Sequence, residues 1–451
     1  MTALGRIYQA GTLKYTTRGL VGLLAVLLLG DFCSTVFESI FGPFMPLYLK
    51  QFDASNSFIA LITGSTAGLM NLLFLPHIGM WSDRSRSPLG RRIPFLIWSA
   101  PLTALSLMLI AFAPDIAGWL HHFGLASKFV SLTAITLGTL TIFIIFWHFF
   151  NMVLLNVFGF LQRDVVPLEL MPHFIAWFRL VGAGGHLVFQ WFLYEHMMDH
   201  SKLLFFGVSV LFLISFALIC LFIKEGDYPP PPPAASPNVF KTFRSYFRDC
   251  LSLSIYRNYF IAFSLILLGT APVGTFTTLF ARETLGLDLK TMGHVTFWST
   301  LLSAILYIPS GFLIKKVSPF RIAVIALFVS AALRLLGYFL IQSDTSWLVY
   351  SVVAVFPGVA WAIGSASLTM FLFPAERFGQ FSSGLNAIGY GTLIFTGYLV
   401  GQLMDLLGSN YRMIFLVSFA CYAAAIVPMY FVYLGWKRHG GPDNYVPPLP
   451  S

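Results

Sequence analysis

Long apolar stretches alternate with short polar segments along the whole chain. Twelve such stretches, each near the roughly 20 residues that cross a bilayer as a helix, are centred near residues 34, 68, 103, 146, 183, 213, 269, 302, 330, 359, 393 and 424. The apolar runs are continuous rather than alternating, and a helix satisfies its own backbone within one segment, so helices are favoured over a lipid-spanning barrel. The pattern predicts an all-α integral membrane protein with twelve transmembrane helices.

A segment of different composition separates the sixth apolar stretch from the seventh. Five consecutive prolines occupy residues 229–233, and such a run favours an extended conformation and cannot continue a helix. Phenylalanines then recur at helical spacing among basic residues, as in a helix lying on a membrane surface. We predict a first six-helix bundle over residues 1–223, a cytosolic linker with an interfacial helix over 224–256, and a second six-helix bundle over 257–451.

The two predicted bundles share a sequence pattern. Pro167 and Glu169 precede the fifth apolar stretch, and Pro374 and Glu376 precede the eleventh at the same displacement along the chain. Many secondary transporters are built from duplicated bundles that alternate access to a site between them. The repeat therefore favours transport as the function.

The composition and the charge distribution place the chain in a membrane. Hydrophobic residues make up 57% and charged residues 10% of its 451 positions, and the net charge is +9. With the amino terminus placed inside, 19 basic residues fall on the inner side and 6 on the outer side, which predicts cytosolic termini in a cell (inner or plasma) membrane. The positive charge is thus a topology signal, and we expect no nucleic-acid partner.

The sequence offers little support for an enzyme, a cofactor or a metal site. The four cysteines are dispersed and none is paired at a metal-ligand spacing. We find no Ser/His/Asp grouping, no HExxH motif and no phosphate loop. A membrane nutrient sensor is the alternative outside transport, although such a protein usually adds a sizeable signalling domain. We expect neither a cofactor nor a catalytic residue.

The densest charge in the chain follows the second apolar stretch. Five charges fall within the ten residues 83–92. Together with two glycines, four of them form a motif, here called the signature, of Gly79, Asp83, Arg84, Gly90, Arg91 and Arg92. This spacing resembles the signature between spans two and three of the major facilitator superfamily. With Trp81, Pro94 and Phe95, its expanded form resembles sucrose transporters and the glycoside-pentoside-hexuronide cation symporters. Asp164-Val-Val-Pro167 and Phe178-Arg179 are similar to the same group.

The resemblance implies two six-helix bundles that alternate access, with an inner gate at the signature. Asp83 is expected to lie where the eleventh span begins. A carboxylate at a helix amino terminus is stabilised by about 0.3–1 kcal/mol through the helix dipole. The wider gate set comprises Asp164, Glu169, Glu376 and Arg377, and Lys315 or Lys316 is a candidate partner of Asp164 or Glu169. Alternatively, these are solvated loop charges.

Two acidic residues lie inside the first apolar stretch. Placing an ionised carboxylate inside the membrane costs about 2.5–3.5 kcal/mol or more, so we expect Asp31 and Glu38 to have a function there. Seven helical residues turn through about 700 degrees, which puts both on one face. We assign both to proton coupling and favour Glu38. The alternative is a structural role, such as an ion pair between one acid and Arg179.

A sugar site needs aromatic faces and hydrogen-bonding groups inside a mostly apolar cavity. The spans offer such side chains at Trp147, His148, Asn151, Arg179, His186, Gln190, Trp298, Trp361, Asn386 and Tyr390. The alternative for each aromatic residue is packing or contact with lipid.

We expect a monomeric proton-coupled symporter of a sugar, a disaccharide or glycoside such as sucrose or maltose, that works by alternating access. Melibiose-type symporters use paired aspartates on the second span, whereas residues 57–81 contain no acid, which favours protons over sodium. Sodium-coupled sugar symport and proton-coupled export of drugs or metabolites remain the alternatives within transport.

Overall fold

The computed structural model describes residues 7–123, 131–228, 251–374 and 377–449. Its long helices confirm the predicted all-α membrane fold. They are α1 (Thr17–Lys50), α2 (Asn56–Arg84), α3 (Ile93–His122), α4 (Leu132–Val165), α5 (Met171–Val188), α6 (Ser201–Phe222), α7 (Ser254–Thr284), α8 (Leu289–Lys316), α9 (Pro319–Leu340), α10 (Asp344–Leu372), α11 (Phe378–Leu406) and α12 (Met413–Arg438). A short helix, α13 (Gly441–Asn444), follows.

Over the described residues, ten of these helices are long and apolar enough to cross a membrane. Of the other two, α5 is 18 residues long and carries Arg179, and α8 ends in side chains that lie outside the described residues. Three helices include or run into a π-helical turn, at Leu61–Ser65 in α2, Phe189–Leu193 after α5 and Phe280–Thr284 at the end of α7. Such turns often occur at functional sites of helical proteins.

The chain divides into two compact units. Unit 1 comprises Met1–Ser55 and Leu69–Pro233, and unit 2 comprises Asn56–Gly68 and Ala234–Ser451. The first part of α2 therefore groups with unit 2, a feature for which the sequence carried no signal. The predicted interfacial helix after the prolines lies almost wholly in 229–250, outside the described residues.

Unit 1 packs α3 against α4 and α6, and α1 against α5 and α6. Aromatic rings fill the contact between α1 and α6. Phe37 stacks on Phe212 with ring centroids 4.3 Å apart, and Phe44 meets Phe205 edge-on at 4.7 Å. Because these four rings are almost fully buried, the aromatic contacts fix the position of α1 against α6.

A β-hairpin precedes α1 in unit 1. Strands β1 (Tyr8–Ala10) and β2 (Leu13–Tyr15) pair antiparallel. The turn between them contains Gly11, whose φ of +57° suits glycine. Thr12 Oγ1 accepts a hydrogen bond of 2.8 Å from the backbone N–H of Asp227. The hairpin thereby holds the chain segment that follows α6.

Unit 2 is built around a cluster of aromatic rings, in which Tyr256, Phe260 and Phe381 lie close to Phe373. A polar network surrounds Arg334, which lies within α9. Its Nε donates to Ser418 Oγ at 2.5 Å, and its guanidinium lies 3.7 Å from the Tyr422 ring centroid. Hydroxyl and aromatic partners thus hold this charge within unit 2.

Residues 56–68 pack against α11 through glycines. A Cβ on Gly401 would lie 2.4 Å from Ser57 Cα, and one on Gly397 would lie 2.4 Å from Ser65 Oγ and 2.8 Å from the Ala60 carbonyl oxygen. Small residues four apart allow helices in membranes to approach this closely. The two glycines therefore set the distance between α11 and the start of α2.

A carboxylate at the end of α11 caps the first turn of α2. Asp405 Oδ1 accepts from the backbone N–H and the side-chain Nδ2 of Asn56 at 2.8 and 2.9 Å, and Oδ2 accepts from the N–H of Ser57 at 2.9 Å. Tyr411 donates to Asn56 Oδ1 at 2.7 Å. The cap satisfies N–H groups that a helix start leaves without partners.

We predict that Gly401→Ala destabilises the protein, because the added Cβ meets the backbone of Ser57 rather than a movable side chain. Overpacking of this kind costs about 1–3 kcal/mol, so the thermal unfolding midpoint in detergent should fall. Gly391→Ala on the same helix is the matched control, since its Cβ would have no heavy atom within 4 Å. Equal midpoints for the two variants would contradict this packing.

Candidate functional site

A polar group on α1 and one on α4 form the centre of the candidate site in unit 1. Asn151 Nδ2 donates to Glu38 Oε1 at 2.8 Å. The side chain of Glu38 is half-buried and that of Asn151 is buried. The contact joins two of the residues that the sequence placed in different roles, one in proton coupling and one in substrate binding.

Two buried polar atoms beside this contact make no hydrogen bond within the part of the chain that the structure describes. They are Asn151 Oδ1 and Trp147 Nε1, and their residues lie one turn apart on α4. A buried polar atom left unsatisfied costs about 1–3 kcal/mol. The pair therefore offers an acceptor and a donor to a ligand that carries hydroxyl groups.

The aromatic side of the site is formed by α1 and α4. Phe41 stacks on Trp147 with centroids 3.7 Å apart and an interplanar angle of 11°, and the His148 ring lies 5.2 Å from Phe41. One face of the indole is therefore covered by protein. Its contribution to a ligand is the Nε1–H group rather than a free stacking face.

A second hydrogen bond links α1 with α5. Ser39 Oγ lies 2.6 Å from His186 Nδ1 and also donates to the carbonyl oxygen of Thr35 at 2.5 Å. If the hydroxyl proton goes to Thr35, His186 Nδ1 is the donor in this pair. Through Ser39, the residue after Glu38, α1 therefore also contacts the exposed imidazole of His186 on α5.

Asp31 lies on α1 two helical turns before Glu38, and its side chain packs against α5. It is 7% exposed, and its Oδ2 has no hydrogen-bond partner among the described residues. A Cβ at Gly182 would come within 3.0 Å of that oxygen, so the glycine makes room for the carboxylate. Arg179, on the preceding turn of α5, interacts electrostatically with Asp31, in keeping with the structural role considered for this acid.

The other predicted ligand residues lie outside this group. Gln190 is buried in the π-helical turn after α5. In unit 2, Trp361 packs against the aromatic core cluster, the Trp298 side chain is half exposed, Asn386 is exposed and Tyr390 is half-buried. The structure thus brings together Glu38, Trp147, His148, Asn151 and His186, with Ser39 and Phe41 added to them.

The signature charges form a second cluster, at the start of α3. Arg91 donates to Asp164 through Nε at 3.1 Å and Nη2 at 2.8 Å, and Arg92 Nε donates to Asp164 at 3.1 Å. Arg92 also bonds Asp83 and Ser82 through its Nη atoms. Asp164 therefore has two arginines as its partners, where sequence reasoning considered a lysine.

Glu225 is the member of this cluster that sequence reasoning missed. Its Oε2 accepts from the Arg91 N–H at 2.9 Å, and its Oε1 accepts from the N–H groups of Arg92 and Ile93 at 2.7 Å each. A carboxylate at a helix start binds three donors that would otherwise lack partners. The available signal was an acid at the end of the sixth apolar stretch, next to a loop rich in arginine.

Gly90 permits this capping. Its φ is +106°, and a Cβ there would lie 2.5 Å from Glu225 Cδ and Oε1. Any other residue would be strained by the backbone angle and would displace the carboxylate. The glycine of the signature is thus explained by contacts within unit 1.

Tyr228 completes the cluster. Its hydroxyl donates to Glu225 Oε2 at 3.0 Å, and the Arg91 guanidinium lies 3.8 Å from its ring centroid. Burial and the charges of Glu225 and Asp164 raise the pKa of the Tyr228 hydroxyl, so it stays a donor at neutral pH. Burial alone would lower the pKa of Arg91, but its hydrogen bond to Asp164 and that carboxylate's charge outweigh burial and raise it.

Most of the remaining predicted gate residues are exposed or lie outside the described part of the chain. Arg84, Glu169 and Arg377 are exposed, and Asp83 keeps a side-chain exposure of 60%. A Cβ on Gly79 would meet no heavy atom of another helix within 4 Å in the described part of the chain. Glu376 and the side chains of Lys315 and Lys316 lie outside the described residues. The contact between the Asp83 carboxylate and the amino terminus of the eleventh span, which would close the inner gate, stays a prediction.

These features define an integral membrane transporter, with long apolar helices, a polar site inside one unit and a charged cluster at the helix ends. The sequence profile of the Major Facilitator Superfamily matches residues 27–363. The chain belongs to that superfamily. This assignment confirms the resemblance stated from the signature and identifies the protein as a transporter rather than an enzyme.

One curated relative is the general alpha-glucoside permease of Schizosaccharomyces pombe (strain 972 / ATCC 24843). It is 28% identical over 170 residues, which make up 36% of this chain and 30% of that protein. The match thus spans less than a third of the relative's length.

Solved transporters share the fold at low sequence identity. A POT family transporter in complex with 5-aminolevulinic acid superposes with a TM-score of 0.68 at 12% identity, covering 92% of this chain and 96% of the other. The nucleoside transporter NupG gives a TM-score of 0.65 at 14% identity for its D323A mutant, covering 92% and 100%.

We predict that Glu225→Gln lowers the thermal unfolding midpoint. The amide keeps one acceptor oxygen but replaces the other with a donor that faces backbone N–H groups, at a cost of about 1–3 kcal/mol. Asp227→Asn is the matched control. It makes the same change of charge two residues further along the chain, and the side chain of Asp227 is exposed. An unchanged midpoint for Glu225→Gln would show that its capping bonds contribute little.

Proposed function

We propose that this protein is a secondary transporter that couples the movement of a sugar, a disaccharide or glycoside such as sucrose or maltose, to protons. One observation carries the sugar assignment: the unsatisfied acceptor Asn151 Oδ1 and donor Trp147 Nε1, one turn apart in a buried site. A sugar hydroxyl is both donor and acceptor, so it can complete both atoms. The partial likeness to an alpha-glucoside permease supports the same substrate class.

Glu38 is the proposed coupling acid. In its charged form it accepts the Asn151 amide hydrogen, as the structure has it. In its protonated form it becomes a donor, and rotation of the amide by half a turn presents Asn151 Oδ1 as the acceptor. The same residue can thus serve both protonation states: Asn151 turns Oδ1 to the ligand when Glu38 is charged, and Nδ2 when Glu38 is protonated. A sugar hydroxyl can pair with either group.

Membership in the superfamily supports alternating access, and the excess of basic residues supports cytosolic termini in a cell membrane. A driving proton would enter with the sugar, neutralise Glu38 and reduce the cost of moving this carboxyl through an apolar environment. Sodium dependence is the competing outcome of the uptake experiment below.

The first test is uptake of labelled sucrose and maltose into liposomes containing the purified protein, under an inward proton gradient and with or without sodium. We expect accumulation that a protonophore abolishes and that sodium does not change. Accumulation that requires sodium would overturn proton coupling. Folded protein that moves neither sugar under any gradient would overturn the sugar assignment and direct a screen towards exported compounds.

Glu38→Gln should reduce gradient-driven accumulation at least tenfold, because the amide cannot bind and release the proton. Exchange of labelled for unlabelled sugar at zero gradient should persist, since exchange needs no net change in protonation. Asp199→Asn is the control, as it removes an exposed carboxylate of the same unit. Loss of both accumulation and exchange in Glu38→Gln would assign Glu38 to binding or folding instead.

Trp147→Phe should weaken sugar binding about three- to tenfold, as expected for one hydrogen bond of about 1 kcal/mol, while the aromatic stack on Phe41 is kept. Binding is measured as the KM of exchange. Trp119→Phe, an exposed tryptophan at the end of α3, should leave KM unchanged. An unchanged KM in Trp147→Phe would remove the indole N–H from the site.

A further inference from the structure

A cavity in unit 1 lies apart from the polar site just described. Its volume is about 530 Å³, and it lies between α1, the end of α5 and α6. Phe32 and Val36 line it from α1, and Leu204, Val208 and Leu211 line it from α6. Engineered apolar cavities of about 150 Å³ stay dry and bind benzene, so this larger cavity suits an extended apolar group.

The polar lining of this cavity is confined to one end. His196 and His200 follow α5, and their rings meet edge-on with centroids 5.8 Å apart. The lining on α6 then continues from Leu204 to Leu211, which is about 10 Å along the helix axis. A ligand that fits has a polar head at the imidazoles and an apolar tail along α6.

The cavity is continuous with apolar surface that faces away from the unit. Leu203 lines it and is 70% exposed, and the neighbouring Phe192 is 62% exposed. In a membrane-spanning protein, exposed leucine and phenylalanine side chains of this kind contact lipid. Lipid is therefore the molecule that has direct access to the opening.

We propose that this cavity binds one acyl chain of a bilayer phospholipid, with the headgroup phosphate accepting a hydrogen bond from His200. His196, beside it, is paired through Nε2 with Glu195 at 3.3 Å, and Lys202 at the start of α6 is paired with Asp115 at 2.6 Å. A sugar has no place here, because Phe32, Leu204 and the other side chains beyond the histidines offer no hydrogen bonds.

Such a lipid would support α1 from behind the candidate site. Phe32 and Val36 line the cavity, whereas Asp31 lies against α5 and Glu38 contacts Asn151. The occupied cavity would therefore brace the helix that carries the proposed coupling acid. The lipid site itself does not depend on the proposed sugar or on proton coupling.

The glycine that lines the cavity provides a selective test. Among the described residues, a Cβ on Gly207 would meet no heavy atom of another helix within 4 Å, so a larger side chain can begin there without a clash. Gly207→Trp should fill it, and Gly207→Leu should fill it in part. Gly138→Trp on α4 is the matched control, because that glycine is also exposed, has the same open space and does not line the cavity.

The measurement is native mass spectrometry of the purified chain after delipidation and addition of palmitoyl-oleoyl-phosphatidylglycerol. We expect one retained lipid on the wild type and on Gly138→Trp, at least tenfold less on Gly207→Trp, and an intermediate amount on Gly207→Leu. His196→Ala combined with His200→Ala should also reduce retention. Each variant is first shown to be folded by size-exclusion chromatography.

Three outcomes would overturn the proposal. Equal retention by wild type and both Gly207 variants would place the lipid elsewhere. Equal competition by a short-chain analogue with the same headgroup, or by inorganic phosphate, would show that the headgroup alone is bound. No retained lipid on the wild type would show that the cavity does not hold an acyl chain.

Discussion

The cost of leaving a polar group without a partner in an apolar environment governs this structure. Within the helices of unit 1, Glu38 is bound by Asn151, and Asp31 lies in space that Gly182 leaves open. In unit 2, the Arg334 guanidinium is held by a serine hydroxyl and the face of Tyr422. Among the described residues, the few buried polar atoms that keep no such partner, Asp31 Oδ2, Asn151 Oδ1 and Trp147 Nε1 among them, are the candidates for contact with a ligand.

Charged groups at the start of α3 are likewise satisfied by partners within unit 1. Arg91 and Arg92 share Asp164, and Glu225 binds the backbone of the same loop. Thr12 of the β-hairpin holds Asp227, two residues beyond Glu225. The hairpin, the segment after α6 and the signature loop are therefore linked by hydrogen bonds and ion pairs.

The candidate site and the lipid cavity share α1. Glu38 contacts α4, Ser39 contacts α5, and Phe32 and Val36 line the cavity beside α6. Phe37, next to Glu38, stacks on Phe212 of α6. Contacts with three helices therefore hold this part of α1 in place.

The sequence by itself determined the helices and the class of protein, because a bilayer requires long apolar segments whose backbone is satisfied internally. It also determined that Asp31 and Glu38 share a face, since helical periodicity is local. Only the tertiary structure decided the partners: Asn151 for Glu38, Glu225 for the signature loop, and Asp405 for the start of α2. Each of these contacts joins residues more than a hundred positions apart, and such pairing depends on helix packing, which no local pattern encodes. The β-hairpin likewise stayed hidden, because strands of three residues are too short to show an alternating pattern.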